Sequence, residues 1–177
     1  DAPAKPACPD LQGQRILVVE DHPLTLGALQ RELAACHASV ETAASAADAL
    51  RICRQARATG ASYSLALIDL SLSGVSGLDL IQNLRREPAF AQLPIVLLIN
   101  LGTVLPEGAL TALGINCVVN KPLRREQVIA SIERALPLTQ ATPPPPAGRI
   151  EERNAVLIVD DSLVNVHVLR RMSERLG

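Results

Sequence analysis

Aromatic side chains are almost absent from this chain, which has one Tyr, one Phe and no Trp. Proteins that bind single-stranded nucleic acid stack the bases on aromatic rings, and nucleic-acid-binding surfaces in general carry an excess of Lys and Arg. The formal net charge here is −1, so the basic excess is missing as well. Both absences argue against nucleic acid as a direct partner.

Long apolar runs are also missing. No stretch approaches the ~20 apolar residues that a helix needs to cross a bilayer. The chain begins with DAPAKPACPD, which places Pro and charge where a signal peptide would need uninterrupted apolar sequence. We therefore expect no membrane contact by this chain.

Paired cysteines are a third absence, since the sequence has no C-x-x-C motif. Metal ligation and a disulfide framework are the alternatives to free thiols, and both favour closely or regularly spaced cysteines. We expect structural thiols in a reducing cytoplasm at Cys8, Cys36, Cys53 and Cys117.

A regular alternation of apolar runs and amphipathic segments fills most of the chain. The predicted strands are, in order, RILVVED, ASVETA, SLALID, PIVLLIN and INCVVN. A helical pattern follows each strand, and the fourth helix is short, beginning at Pro106 and stopping near Gly114. Five strands alternating with five helices predict a doubly wound α/β domain over residues 14–137, with a parallel sheet between two layers of helices.

Pro-rich sequence flanks this predicted domain. We interpret residues 1–13 as an N-terminal linker and residues 138–154, with four consecutive prolines, as a semi-rigid spacer. Residues 155–177 then repeat the first strand and helix, and identical residues align at Leu17/Leu157, Val19/Val159, Asp21/Asp161, Leu29/Leu169 and Arg31/Arg171. One strand and one helix cannot bury their own apolar faces. We expect this truncated second unit to pack on a neighbouring chain or to be poorly ordered.

Charged residues follow three of the predicted strands. Glu20 and Asp21 end the first strand, Asp69 the third and Lys121 the fifth. One acidic residue after a strand is usually a turn or helix-cap residue, but parallel strands gather these ends at one edge of the sheet. Three clustered carboxylates need a cation, and hard oxygen ligands suit Mg²⁺. The joint pattern predicts a site that binds Mg²⁺ and phosphate.

These segments resemble the receiver domain of two-component response regulators, which have a flavodoxin-like fold with strand order 2-1-3-4-5. ILVVED is similar to the family's acidic pair, LALIDLSLSGVSGLDL to its phosphoacceptor segment and NKPL to its Lys-Pro. The resemblance implies that Asp69 accepts phosphate and that Lys121 contacts it. It further implies that Glu20, Asp21, Asp69 and the backbone carbonyl of Ser71 hold Mg²⁺.

The resemblance also implies two backbone features and a cellular setting. Gly77 matches the family's glycine eight residues after the acceptor, and Pro122 would follow a cis peptide bond. Two receivers in series resemble part of a hybrid sensor histidine kinase. The implied partners are a histidine kinase or histidine phosphotransfer domain and the second receiver of the same chain. The implied location is the cytoplasm, which is compatible with a parent protein anchored in the inner membrane.

Several positions depart from the family pattern. Ile99 stands where receivers have Thr or Ser, Asn100 where they have a small residue, and Val118 where they have an aromatic ring. The usual Met-Pro after the acceptor is Leu72-Ser73. A hydrocarbon cannot donate a hydrogen bond to phosphate. We therefore expect weak or atypical switching and a regulatory role.

Two alternatives stay open. One is a pseudo-receiver, a protein–protein interaction module without phosphotransfer. The other is an aspartyl phosphohydrolase, which the absence of an acid at Ser71 disfavours.

Overall fold

Five strands form one parallel sheet in the computed structural model of the chain, in which residues 9–136 are described. The strands are β1 (Arg15–Val19), β2 (Ser39–Ala43), β3 (Leu65–Asp69), β4 (Ile95–Asn100) and β5 (Cys117–Lys121). They lie in the order β2-β1-β3-β4-β5, which confirms the predicted flavodoxin-like arrangement. All five strands therefore end at the same edge of the sheet.

Five helices connect and follow the strands. They are α1 (Pro23–Ala34), α2 (Ala46–Ala58), α3 (Gly77–Arg86), α4 (Ala109–Ala112) and α5 (Arg125–Ala135). Pro23 begins α1, where its fixed φ suits the first turn, and the Ser45 and Ser76 hydroxyls cap α2 and α3. These are local start signals that the sequence carries.

The fourth helix is shorter than predicted. We expected it to begin at Pro106, but the helix spans only Ala109–Ala112. Gly108 has φ 73°, a left-handed backbone conformation that no residue inside an α-helix adopts. The turn at Gly108 therefore delays the start of α4.

The core consists of two apolar clusters, one on each face of the sheet. Leu65 and Leu67 of β3 belong to one cluster, and Ala66 and Ile68 to the other, because alternate side chains of a strand point to opposite faces. One cluster includes side chains of α2 and α3, and the other includes side chains of α1 and α5. Leu11, within the stretch interpreted as a linker, is fully buried in the second cluster.

The guanidinium group of Arg85 joins two connections at the opposite edge of the sheet from the strand ends. Its nitrogens donate to four backbone carbonyls at 2.8–2.9 Å, those of Phe90, Leu93, Leu113 and Gly114. The α3–β4 and α4–β5 connections are thereby held together by one side chain. Burial lowers the pKa of Arg85 from its ordinary value.

The cysteine expectation needs a correction. Cys53 and Cys117 are free thiols, and burial raises the pKa of Cys53 to about 11. Cys36, however, is disulfide-bonded. The sequence spacing gave no sign of this, because a disulfide can join cysteines that are far apart in the sequence.

Some sequence expectations lie outside the described residues. The chain divides into two units, Asp1–Leu138 and Thr139–Gly177, and only the first contains described residues. The expectations for the Pro-rich spacer and for the truncated second receiver remain predictions. Among residues 9–136, no helix is long and apolar enough to span a membrane.

Candidate functional site

Lys121 joins two carboxylates where β1, β3 and β5 end. Its Nζ donates a hydrogen bond to Asp69 Oδ2 at 2.8 Å and lies 2.8 Å from Glu20 Oε2. The second contact is an ion pair without hydrogen-bond geometry, because Glu20 Oε2 accepts no hydrogen bond within the described part of the chain. Since β4 lies between β3 and β5, only a long side chain on β5 reaches Asp69.

Burial makes this contact strong. Glu20 and Asp69 are 0% and 2% exposed, so water screens their charges poorly. Burial alone would lower the pKa of Lys121, but the hydrogen bond to Asp69 and the contact with Glu20 outweigh burial and raise that pKa. Lys121 is therefore a cation throughout the physiological pH range.

A third carboxylate, that of Asp21, completes the cluster. Glu20, Asp21 and Asp69 each offer one oxygen, and these three oxygens lie within 4.8 Å of one another. The buried Asp69 Oδ1 has no hydrogen-bond partner among the described residues. An unpartnered buried oxygen beside two more carboxylates fits a divalent cation with hard oxygen ligands, such as Mg²⁺.

Asp21 is also held by the β3–α3 loop. The Ser73 N–H donates to Asp21 Oδ2 at 2.9 Å, and the Ser73 hydroxyl donates to the same oxygen at 2.5 Å. The Ser73 hydroxyl bond is the largest cause of a lowered pKa at Asp21. The β1–α1 turn and the β3–α3 loop are therefore joined directly at the site.

Gly77 forms the wall behind Asp69. A Cβ at this position would lie 2.2 Å from the Asp69 carbonyl oxygen and 2.9 Å from the Leu70 Cα. The Gly77 N–H donates to the Leu70 carbonyl at 2.8 Å, which closes the loop at its helical end. Glycine is needed here for close approach of two backbones. The Lys121–Pro122 peptide bond is cis, which confirms the expectation for Pro122.

The remaining expected site residues surround the pocket. Ser71 forms an isolated bridge with Ser76 at the loop base, and the Asn100 amide nitrogen lies 3.5 Å from the Ser71 hydroxyl. Ile99 is 7% exposed and belongs to the core cluster of α2 and α3, against which Val118 also packs. The side chains at positions 99 and 118 are thus hydrocarbon packed in the core.

Large apolar side chains are exposed near the ends of several strands. Among the described residues, the most exposed large apolar side chains are those of Leu24, Val75, Leu101, Val104 and Leu110. The first four lie on or beside the loops that follow β1, β3 and β4.

Comparison with known proteins decides the family. The family model described as the response regulator receiver domain matches residues 16–133. The chain belongs to the response regulator receiver domain family. That finding agrees with the resemblance seen in the sequence and with the observed strand order.

The individual relatives match the receiver region of this chain and are described as different kinds of protein. The transcriptional regulatory protein TcrA of Mycobacterium tuberculosis is 31% identical over 140 residues, 79% of this chain and 52% of that protein. A sensor protein from Polaromonas sp. JS666 is 28% identical with a TM-score of 0.59, over 70% of this chain and 95% of that one. The receiver chain spans about half the length of the curated relatives it matches, 52% and 50% of two of them.

A third relative shows the same fold at lower identity. The receiver domain of a sensor histidine kinase from Pseudomonas aeruginosa PAO1 is 23% identical with a TM-score of 0.58, over 70% of this chain and 97% of that one. Its structure has a magnesium ion coordinated in the active site cleft.

Sequence reasoning missed one residue of the pocket. Ser73 was noted only as a departure from Pro, whereas the structure places both of its donors on Asp21. The signal available in the sequence was the replacement of a residue without an N–H by one with two donors.

Proposed function

We propose that this receiver is a phosphoacceptor module of a two-component phosphorelay, in which Asp69 takes a phosphoryl group from a phosphohistidine with Mg²⁺ as cofactor. One observation carries the proposal. Lys121 neutralises one oxygen of Asp69 and one of Glu20, while the buried Asp69 Oδ1 has no partner among the described residues. This leaves one oxygen of the acceptor carboxylate available to a cation or to a phosphoryl group.

Glu20, Asp21, Asp69 and the backbone carbonyl of Ser71 would hold the Mg²⁺. The ion supplies neutralisation of the negative charge that gathers between the carboxylates and a transferring phosphoryl group. Support comes from the three carboxylate oxygens within 4.8 Å of one another and from the burial of Glu20 and Asp69. The magnesium ion in the Pseudomonas aeruginosa receiver adds support by analogy of fold.

Two side chains of this chain take part in the reaction, those of Asp69 and Lys121. One carboxylate oxygen of Asp69 attacks phosphorus, and the new O–P bond forms as the P–N bond to histidine breaks and the imidazole keeps its electron pair. Lys121 donates to Asp69 Oδ2 beforehand and to a phosphoryl oxygen afterwards. The contacts with Asp69 and Glu20 raise the pKa of Lys121, so it is charged before transfer. The cis bond before Pro122 is part of the segment that carries this lysine.

The wider setting that we propose is a hybrid sensor histidine kinase. Phosphate would come from a histidine kinase or histidine phosphotransfer domain, and residues 155–177 would begin a second receiver in the same chain. The similarity to a sensor protein and to the receiver domain of a sensor histidine kinase supports this setting. The receiver would then act in the cytoplasm, whether or not the parent protein is anchored in the inner membrane.

A pseudo-receiver is the second candidate, because one observation favours it. The two positions that relay phosphorylation in the family, Ile99 and Val118, are hydrocarbon packed on the core. A module that only binds partners has no need of a relay. It would equally have no need of the acidic cluster with Lys121, which is why phosphotransfer remains our first proposal.

Phosphorylation of the intact 177-residue chain separates the two candidates. The chain is incubated with acetyl phosphate and Mg²⁺, and its mass is measured intact. We expect one phosphoryl group per chain, none after Mg²⁺ is removed with EDTA, and none on Asp69→Asn, which keeps the side-chain size. Absence of phosphate on the wild-type chain would favour the pseudo-receiver. Equal labelling of Asp69→Asn would place the acceptor elsewhere.

A further inference from the structure

Ser73 makes an unusual contact for its position in this fold. Both of its donors meet one oxygen, Asp21 Oδ2, across 52 residues of sequence. A carboxylate oxygen has about two lone-pair sites, so Oδ2 has both of its sites occupied by Ser73. Asp21 Oδ1 is left for any further partner.

The contact is special to this sequence. Receivers that have Pro at this place could make neither bond, since Pro lacks the backbone N–H and has no hydroxyl group. The turn that allows it continues into Gly74, whose φ of 83° suits glycine. The substitution to Ser therefore adds a connection rather than only removing a proline.

The contact also lies where it can influence a metal ligand. Asp21 is only partly buried, unlike Glu20 and Asp69, so protein packing alone restricts its carboxylate less. In the observed position, one of its oxygens lies within 4.8 Å of ligand atoms from both other carboxylates. Two hydrogen bonds to Oδ2 hold the carboxylate there, and partners of a ligating carboxylate set its orientation in metal sites.

We propose that Ser73 is a positioning residue for the metal site, holding Asp21 in place to bind a divalent cation. The inference rests on the proposed function, because it assumes that Glu20, Asp21 and Asp69 bind Mg²⁺. Ser73 itself contributes no ligand in this arrangement. Because Ser73 already orders the Asp21 side chain, Mg²⁺ binding does not have to offset the free-energy cost of ordering it.

A Mg²⁺ titration of the full 177-residue chain tests the inference. With no Trp and a single Tyr, the chain suits amide NMR shifts better than fluorescence. Ser73→Ala removes the hydroxyl donor and retains the N–H, whereas Ser73→Thr retains both. Ser64→Ala is the matched control, since the Ser64 hydroxyl accepts a weak bond from the Arg15 N–H at 3.4 Å, before the start of β3.

We expect Ser73→Ala to weaken Mg²⁺ binding by about tenfold, at the low end of the range for partners of metal ligands, because the Ser73 N–H bond to Asp21 remains. Ser73→Thr and Ser64→Ala should stay within about twofold of the wild-type affinity, because donors to Asp21 are preserved in both. Unchanged binding by Ser73→Ala, equal weakening by Ser64→Ala, or failure of Ser73→Thr to retain affinity would each overturn the inference. If the wild-type chain itself binds no Mg²⁺, the proposed function fails as well, which distinguishes the two failures.

Discussion

At Gly77 the backbone passes so close to the end of β3 that no side chain fits between them. The atoms in the way are the Asp69 carbonyl oxygen and the Leu70 Cα, both in the backbone. A flexible side chain could rotate away from an added methyl group, but a strand end that carries the acceptor cannot move without displacing Asp69. The glycine therefore protects the geometry of the acceptor residue.

Gly77→Ala should destabilise the chain by about 2 kcal/mol or more, as overpacking against rigid neighbours does. The loss would be measured as the change in free energy of unfolding by urea denaturation. Gly27→Ala in α1 is the matched control, since its Cβ would meet only Arg31 Nη1 at 3.8 Å. There alanine should stabilise by about 0.5–1 kcal/mol through its better helix propensity. Equal effects at the two glycines would contradict this account.

Single residues also show where sequence reasoning succeeds and fails. Strand ends in a parallel sheet share one edge, so the sequence alone predicts that Glu20, Asp69 and Lys121 lie close together. The Ser73 contact could not be foreseen, because it depends on the path of a loop. The reason for Gly77 was equally hidden, since only tertiary structure shows which backbone it approaches.

Among the elements, the pairing of β1 with the edge strand β2 contains a second charged cluster. Glu41 Oε2 accepts from Arg15 Nη2 at 2.6 Å and from the Tyr63 hydroxyl at 2.5 Å. The Arg15 guanidinium carbon also lies 4.9 Å from the centre of the Tyr63 ring. The Tyr63 hydroxyl bond and Arg15 lower the pKa of Glu41, outweighing its partial burial. The cluster ties the segment before β3 to the edge of the sheet.

The lowered pKa of Glu41 fixes the direction of a pH effect. A carboxyl group whose pKa is lower in the folded chain stabilises it above the unfolded pKa, near 4.5, and loses that contribution as pH falls through the folded pKa. Glu41→Gln should therefore cost about 1 kcal/mol or less at pH 7, since both charged side chains are about one third exposed, at 37% and 32%. The deficit should shrink below the unfolded pKa.

Thermal unfolding of both chains between pH 7 and pH 3 would measure this change. Glu126→Gln on the exposed face of α5 is the control, and its effect should stay small at every pH. A Glu41→Gln deficit that is independent of pH would show that packing, and not charge, accounts for the contribution of Glu41.

The strands and helices were largely predictable from the sequence. Buried parallel strands have continuous apolar sequence, and capping residues or Pro mark the starts of helices. All five strands and five helices occur where the alternation places them. The predicted start of α4 was wrong, since the pattern of apolar residues gave no sign of the left-handed turn at Gly108. The four carbonyl contacts of Arg85 were also invisible, because an Arg at the end of a helix usually faces solvent.

At the scale of the whole receiver, apolar side chains connect the acidic pocket with the α4–β5 region. Ile99 precedes Asn100, the last residue of β4, and is buried. It lies in the same cluster that Val118, Leu105 and Leu113 pack against. Hydrocarbon at position 99 offers phosphate no hydrogen bond, so phosphate gains nothing from moving it. We therefore expect the pocket to bind a ligand without biasing the rest of the receiver.

Amide NMR shifts induced by BeF₃⁻ with Mg²⁺ would test this separation. In the wild-type chain we expect large shifts for residues around Glu20, Asp69 and Lys121 and small shifts along α5 (Arg125–Ala135). Ile99→Thr introduces a hydroxyl near the end of β4, and its shifts should extend further toward β5 and α5. Ile99→Val has nearly the shape of Thr without the hydroxyl, so it controls for lost packing, which should cost about 1 kcal/mol.

The Thr and Val variants differ by one hydroxyl group, so any difference between their shift patterns reports hydrogen bonding at position 99. If α5 of the wild-type chain shifts as strongly as the pocket does, a relay exists that does not use Ile99. Asn100 would then be the residue to examine, since its amide nitrogen already lies 3.5 Å from the Ser71 hydroxyl on the neighbouring loop. If instead only Ile99→Thr extends the response, the substitution at position 99 is sufficient to explain why binding at the pocket stays local.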